Sequence, residues 1–232
     1  MAAFALAGGF AVLPAAGAKP PRGFSPDEAI VAAHAAFRAG DALKLARHSA
    51  GMQDHILEPY LEYWRLKLRL EDTPPGELRA FLAREPGSYL AERLRAEWLK
   101  ELGKRRDWQS FERERAPLGA EDAEIRCYGL AARLAKGDAS ALDELGQFWL
   151  EPKPLPEGCV AVAEAAIGTG RFTAGDVWQR LRVLLESGQL GAARSAIAWL
   201  PAREAPVERQ FTFAATQPQK FLAALPKTLE AR

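Results

Sequence analysis

Along this chain apolar residues recur at three- and four-residue spacing in short stretches, each closed by glycine, proline or a small polar residue, which predicts one helix after another. Ser25-Pro26-Asp27-Glu28 supplies an N-cap, a proline at the first helical position and an acidic first turn, opening a helix to about Ala39. Gly40-Asp41 stops it and caps the next, which runs through Leu43, Leu45 and Ala46 to about Ser49, so the two read as an αα-hairpin. Pro59 starts a helix rich in large apolar residues, Tyr60, Leu61, Trp64, Leu66, Leu68 and Leu70. Thr73-Pro74-Pro75-Gly76 breaks the chain, and a short helix over 77–84 ends at Pro86-Gly87. Ser88 then caps a stronger helix, with Leu90, Leu94, Trp98, Leu99 and Leu102 on one face up to Gly103. Asp107 opens another whose inward residues are Trp108 and Phe111.

The stretch from Cys127 to Cys159 reads as the organising element: two short antiparallel helices, over about 121–136 and 138–150, joined at Lys136-Gly137-Asp138 and bracketed by the two cysteines. Pro152, Pro154 and Pro156 forbid helix until Glu157, from which a short helix runs to about Gly168. Thr173 begins a helix carrying Val177, Leu181, Leu184 and Leu185; Gly188-Gln189 turns it into another ending at Trp199-Leu200-Pro201, and the pattern repeats weakly through Phe211, Phe213 and Pro218 to Leu225. The turns FRAGD (37–41), GKRRD (103–107), LAKGD (134–138) and LLESGQ (184–189) resemble one another, each closing a first helix before a second. No strict period of about 34 residues emerges. The expected fold class is therefore all-α, a superhelical solenoid of stacked αα-hairpins with one disulfide. The last segment lacks polar capping character, so the helical domain, 25–232, is expected to be truncated at its C-terminus.

Composition supports helix: Ala and Leu supply 75 residues, Val, Ile and Thr only 18. The 31 Lys and Arg are interleaved with 30 Asp and Glu, which argues against a nucleic-acid partner or an anionic membrane surface. Residues 1–18 carry no charge and end in Ala16-Gly17-Ala18, the pattern of a signal peptide cleaved after Ala18, although its basic n-region is missing. Either the start codon is placed downstream of the true one, which would account for the missing n-region, or the run is a plain apolar tail. The run is too short for a membrane span. Residues 19–24 read as a linker. In an exported chain two cysteines suggest one disulfide between Cys127 and Cys159; two unrelated buried thiols are the other reading.

Candidate chemistry is sparse. His34, His48 and His55 have no ligand-spaced Cys or second carboxylate beside them, Asp54 next to His55 reading as a loop residue; Ser49 next to His48 lacks a strand-turn-helix elbow, and Gly168-Thr169-Gly170 lacks the Lys-Ser/Thr of a phosphate loop. No cofactor and no metal are expected. Tyr60, Tyr63, Trp64, Trp98, Trp108, Trp149, Trp178 and Trp199 read mostly as wedges between helices, with a sugar-stacking face as the alternative. Arg105, Arg106, Arg113 and Arg115, interleaved with Glu112 and Glu114, read as a solvated helix face, a polar groove for peptide stems being the alternative.

Three landmarks carry a family resemblance: EPYLEYW (58–64), LKELGKRRDWQSF (99–111) and the Cys127-to-Cys159 segment ending in FWLEPKPLPEGC. In order and spacing they resemble the N-terminal superhelical region of the soluble lytic murein transglycosylases over about residues 25–225. The resemblance places both cysteines where the family's disulfide lies. It implies a periplasmic enzyme that cleaves the β-1,4 bond between N-acetylmuramic acid and N-acetylglucosamine of peptidoglycan, leaving a 1,6-anhydro end. In that family the chemistry belongs to a C-terminal lysozyme-like domain, whose glutamate sits in a Glu-Ser pair followed by Gly-Leu-Met-Gln. The Glu-Ser pair here, Glu186-Ser187, has no such sequel and reads as a polar helix end, so no catalytic residue is assigned. The implied role is a non-catalytic scaffold that positions glycan strands, with a lysozyme-like catalytic domain as partner. The alternative is a tetratricopeptide-like periplasmic adaptor binding a peptide or protein.

Overall fold

Local capping chemistry sets where the helices begin. In the computed structural model, which describes residues 25–226, α1 (Pro26–Arg38) starts at a complete capping box: Ser25 Oγ accepts from Glu28 N at 3.3 Å, and Glu28 Oε2 accepts from Ser25 N at 2.7 Å. Asp41 caps α2 (Ala42–Ser49) by accepting from Lys44 N at 2.9 Å. Beyond them α3 (Glu58–Leu68) and α4 (Pro75–Arg84) follow, each with proline in its first turn, and then α5 (Tyr89–Lys104). The expected signal peptide and linker, and the last six residues of the expected domain, lie outside the described residues.

The four similar turns share one geometry. After each first helix the N–H of the closing residue reaches back five positions: Asp41 to Ala36 O (3.0 Å), Asp107 to Leu102 O (3.0 Å), Asp138 to Arg133 O (3.1 Å) and Gln189 to Leu184 O (2.8 Å). This is the Schellman ending, which requires a left-handed residue just before. Glycine fills that place at Gly40, Gly137 and Gly188, but Arg106 fills it in the second turn at φ 57°. A single hydrogen-bonding pattern therefore underlies the sequence resemblance.

Two compact units are present, divided between Leu94 and Arg95 within α5. In the first, α1 packs along α2 and both meet α3. Ala29, Ala33 and Ala36 let α1 approach closely, and Leu45, Leu61, Leu66, Leu78 and Phe81 fill the interior. Leu43 faces solvent, because only Leu45 of its helix points inward.

The second unit contains α6 (Trp108–Arg115), α7 (Ala123–Ala135), α8 (Ala141–Glu144), α9 (Gly146–Trp149), α10 (Glu157–Gly168), α11 (Ala174–Glu186), α12 (Leu190–Ile197), α13 (Glu208–Thr216) and α14 (Pro218–Ala223). The helix expected over 138–150 is divided at Leu145 into two short pieces, with Gly146 weakening the run. The principal partner of α7 is α10, rather than the segment that follows it directly. Cys127 and Cys159 form a disulfide between these two helices, Cα to Cα 4.7 Å, with both residues fully buried. Gly158 makes the approach possible, since a Cβ there would lie 2.7 Å from the Tyr128 backbone nitrogen. Glu124 of α7 also caps α10, accepting from Glu157 N (3.0 Å) and Gly158 N (2.8 Å) where Pro156 offers no side-chain acceptor. Among the described residues there is no strand and no helix long and apolar enough to cross a membrane.

Candidate functional site

A cleft of about 390 Å³ opens in the first unit between α2, α3 and the end of α4. Its floor is apolar, formed by Leu45, Met52 and Leu61, all buried. Its rim is charged. Glu58 and Glu62 stand one turn apart on α3, Arg65 follows three residues later, and Arg84 closes the cleft from the end of α4. Glu62 is paired with Arg84 and lies 3.6 Å from Arg65, while Arg65 also meets Glu77 at 3.0 Å. Half-buried Glu58 donates its backbone N–H to His55 O at 2.8 Å, while its side-chain carboxylate makes no hydrogen bond or ion pair with the described residues. Desolvation, and then the Glu62 charge, push its carboxyl above the ordinary range, and Arg84 offsets only part of this. The Arg84 guanidinium is held up chiefly by its hydrogen bond to Glu62.

A smaller cleft of about 190 Å³ lies in the second unit beside the stapled helices, lined by Arg115, Arg126, Arg133, Glu121 and Glu144. Its charges are mostly paired: Arg115 grips Glu121 at 2.5 and 2.7 Å, and Arg133 meets Glu144 at 2.5 Å and Asp138 at 2.7 Å. Arg126 instead bonds the neutral Gln147 amide and lies 4.9 Å over the Phe148 ring.

No protein-family model matches the sequence. The soluble lytic murein transglycosylase of Salmonella typhimurium is 23% identical over 173 residues, which is 74% of this chain and 27% of that protein. The enzyme of the same name from Escherichia coli K12 is 24% identical over 153 residues, 66% of this chain and 24% of that protein. Among solved structures, the 70-kDa soluble lytic transglycosylase of Escherichia coli matches with a TM-score of 0.60 at 21% identity, covering 88% of this chain and 34% of that one. Over about 70% of its length this chain is homologous to the soluble lytic murein transglycosylases.

The chain spans about a quarter of the length of these curated relatives, 27% and 24%, and the matched part of the transglycosylase is its N-terminal region. The all-α fold with its one disulfide agrees with the superhelical domain of the transglycosylase. The pair that resembles the transglycosylase acid, Glu186-Ser187, lies exposed at the C-terminus of α11, where Ser187 Oγ donates to Val183 O at 2.8 Å. His34 is exposed, its ring 4.9 Å from Trp64; His55 accepts from Leu57 N at 3.1 Å; His48 is half-buried on α2. Among the described residues no three His, Cys, Asp or Glu side chains converge. Ser49 Oγ donates to Leu45 O and Thr169 Oγ1 to Ala165 O, both at 2.8 Å, so each hydroxyl closes a helix turn.

Tyr63, Trp64, Trp98 and Trp149 are buried, Trp108, Trp178 and Trp199 are half-buried, and Tyr60 is exposed. The arginine-glutamate run on α6 is not simply a solvated face. Glu114 is buried between Arg95 and Arg113, each at 3.3 Å, and the Arg115 guanidinium packs where Gly129 leaves room. Sequence reasoning missed Glu58, Glu62, Arg65 and Arg84 as a group. The four-residue spacing of two glutamates within EPYLEYW was the available signal; the arginine that completes the group comes from another helix.

Proposed function

We propose that this chain is the non-catalytic helical part of a periplasmic soluble lytic murein transglycosylase, positioning peptidoglycan strands for cleavage by a lysozyme-like domain. The observation that carries this reading is the homology over about 70% of the chain to enzymes named for that reaction. A region that only holds the polymer contributes by orientation, because fixing a strand relative to the catalytic acid removes translational and rotational freedom before the bond breaks. The buried and half-buried aromatics wedge the helices into a rigid support, and the charged rim of the first-unit cleft offers polar contacts to the strand. Glu186 does not act as the acid in this reading. It is exposed, whereas a general acid working near neutral pH needs a desolvated pocket to raise its pKa.

The test is incubation of the purified protein with insoluble peptidoglycan sacculi, following both pelleting and release of 1,6-anhydromuropeptides. Pelleting without release is expected, and Glu186→Gln should change neither. Release that disappears in Glu186→Gln would overturn the non-catalytic assignment. Failure to pellet would overturn positioning and favour the adaptor reading.

A further inference from the structure

We propose that the first-unit cleft binds a zwitterionic amino-acid terminus carried on an aliphatic stem, the chemistry of a diamino-acid residue in a peptidoglycan peptide. For the source of the ligand, though not for its chemistry, this rests on the function proposed above. Four charged side chains line the cleft, Glu58 and Glu62 against Arg65 and Arg84, and they balance to zero. A simple anion would enter against Glu58, and a metal cation would have to displace Arg84 from Glu62. A neutral sugar would leave the Glu58 carboxylate desolvated with only the partial offset of Arg84. A zwitterion meets none of these objections: its ammonium sits on Glu58 beside Glu62, and its carboxylate takes the exposed face of Arg84, whose planar guanidinium suits carboxylate recognition. The apolar floor of Leu45 and Leu61 accommodates the methylenes between the charged end and the rest of the peptide. At about 390 Å³ the cleft is large enough for one such residue. The Glu58 carboxyl, raised by desolvation and then by the Glu62 charge and only partly offset by Arg84, agrees with a rim that favours an added cation.

The test uses the purified protein and the tripeptide L-Ala-γ-D-Glu-meso-diaminopimelate, with binding followed by isothermal titration calorimetry and by NMR shifts of residues around the cleft. Acetylating the free amine of the diaminopimelate, or amidating the carboxylate on the same carbon, should each weaken binding at least tenfold, and so should Glu58→Gln. A thermal melt establishes that the variant is folded. Equal binding of all three peptides, undiminished binding by folded Glu58→Gln, or no binding of the parent tripeptide would overturn the proposal. Sacculus pelleting run in parallel separates the two readings. Pelleting without tripeptide binding removes this site and leaves peptidoglycan positioning in place. Tripeptide binding without pelleting keeps the site and removes the positioning function.

Discussion

Reducing the Cys127–Cys159 bond should lower the stability of the second unit by an amount that follows from loop length. The bond joins residues 32 apart in the chain. On the chain-entropy model, closing a loop of that size removes roughly 12 cal/mol/K from the unfolded chain, or about 3.7 kcal/mol at room temperature. Reduction removes no heavy atom, so no deleted side chain leaves a cavity to contribute to the difference. At about 2–4 °C per kcal/mol, the usual range for this size, the melting temperature should fall by roughly 7–15 °C. Differential scanning calorimetry of the oxidised and reduced protein, with the oxidised state verified by thiol titration, measures the change directly. Cys127→Ala should melt near the reduced protein and be insensitive to reductant. Oxidised and reduced forms melting within 2 °C of each other would refute the reasoning, because it assumes that the unfolded chain holds no residual association of α7 with α10.

Other substitutions probe separate features. Gly158→Ala should destabilise by roughly 1–3 kcal/mol in urea melts, because the new methyl would lie 2.7 Å from the Tyr128 backbone nitrogen, which cannot swing aside, as well as 2.9 Å from its ring. Arg106→Gly should stabilise by roughly 0.5–1 kcal/mol, since Arg106 occupies the left-handed position that glycine fills in the related turns. Arg180 is buried, donates to the carbonyls of Trp149 and Lys153, and is pushed down to about 10 by desolvation while remaining a cation at neutral pH. Arg180→Met should therefore release the proline-rich segment 150–156, read as faster limited proteolysis there. Glu58 has the opposite sign from a capping aspartate. Its folded pKa lies above the unfolded value, so the folded state binds more protons in the window between them, and stability from this group rises as pH falls through that window. Glu58→Gln should accordingly stabilise the protein at pH 7 and lose that advantage towards pH 4, as urea melts at the two pH values will show.

What the sequence made legible was local. Ser25, Asp41, Asp107 and Thr173 start helices where expected, because a cap is satisfied by backbone two or three residues away. The disulfide was legible as well, with help from the resemblance. The principal partner of α7 was not. Adjacency favoured the segment after Gly137, whereas the proline-rich stretch carries the chain past α8 and α9 and brings Gly158 against Tyr128. The cap of α10 by Glu124 and the burial of Glu114 with Arg95 were equally hidden, since each joins residues 34 and 19 positions apart. The charged cleft fails to show for the same reason. Its glutamates share one helix, but the group exists only when Arg84 is brought to it by tertiary packing.

The disulfide also has a mechanical meaning. Two Cα atoms held 4.7 Å apart bracket 32 residue steps, which would otherwise lengthen to roughly 110 Å of extended chain at 3.3–3.6 Å per residue. A pull on the two ends of the oxidised chain bypasses α8, α9 and the proline-rich loop altogether. The contour released on forced unfolding should be shorter by that amount, and a single reduction event would restore it in one step.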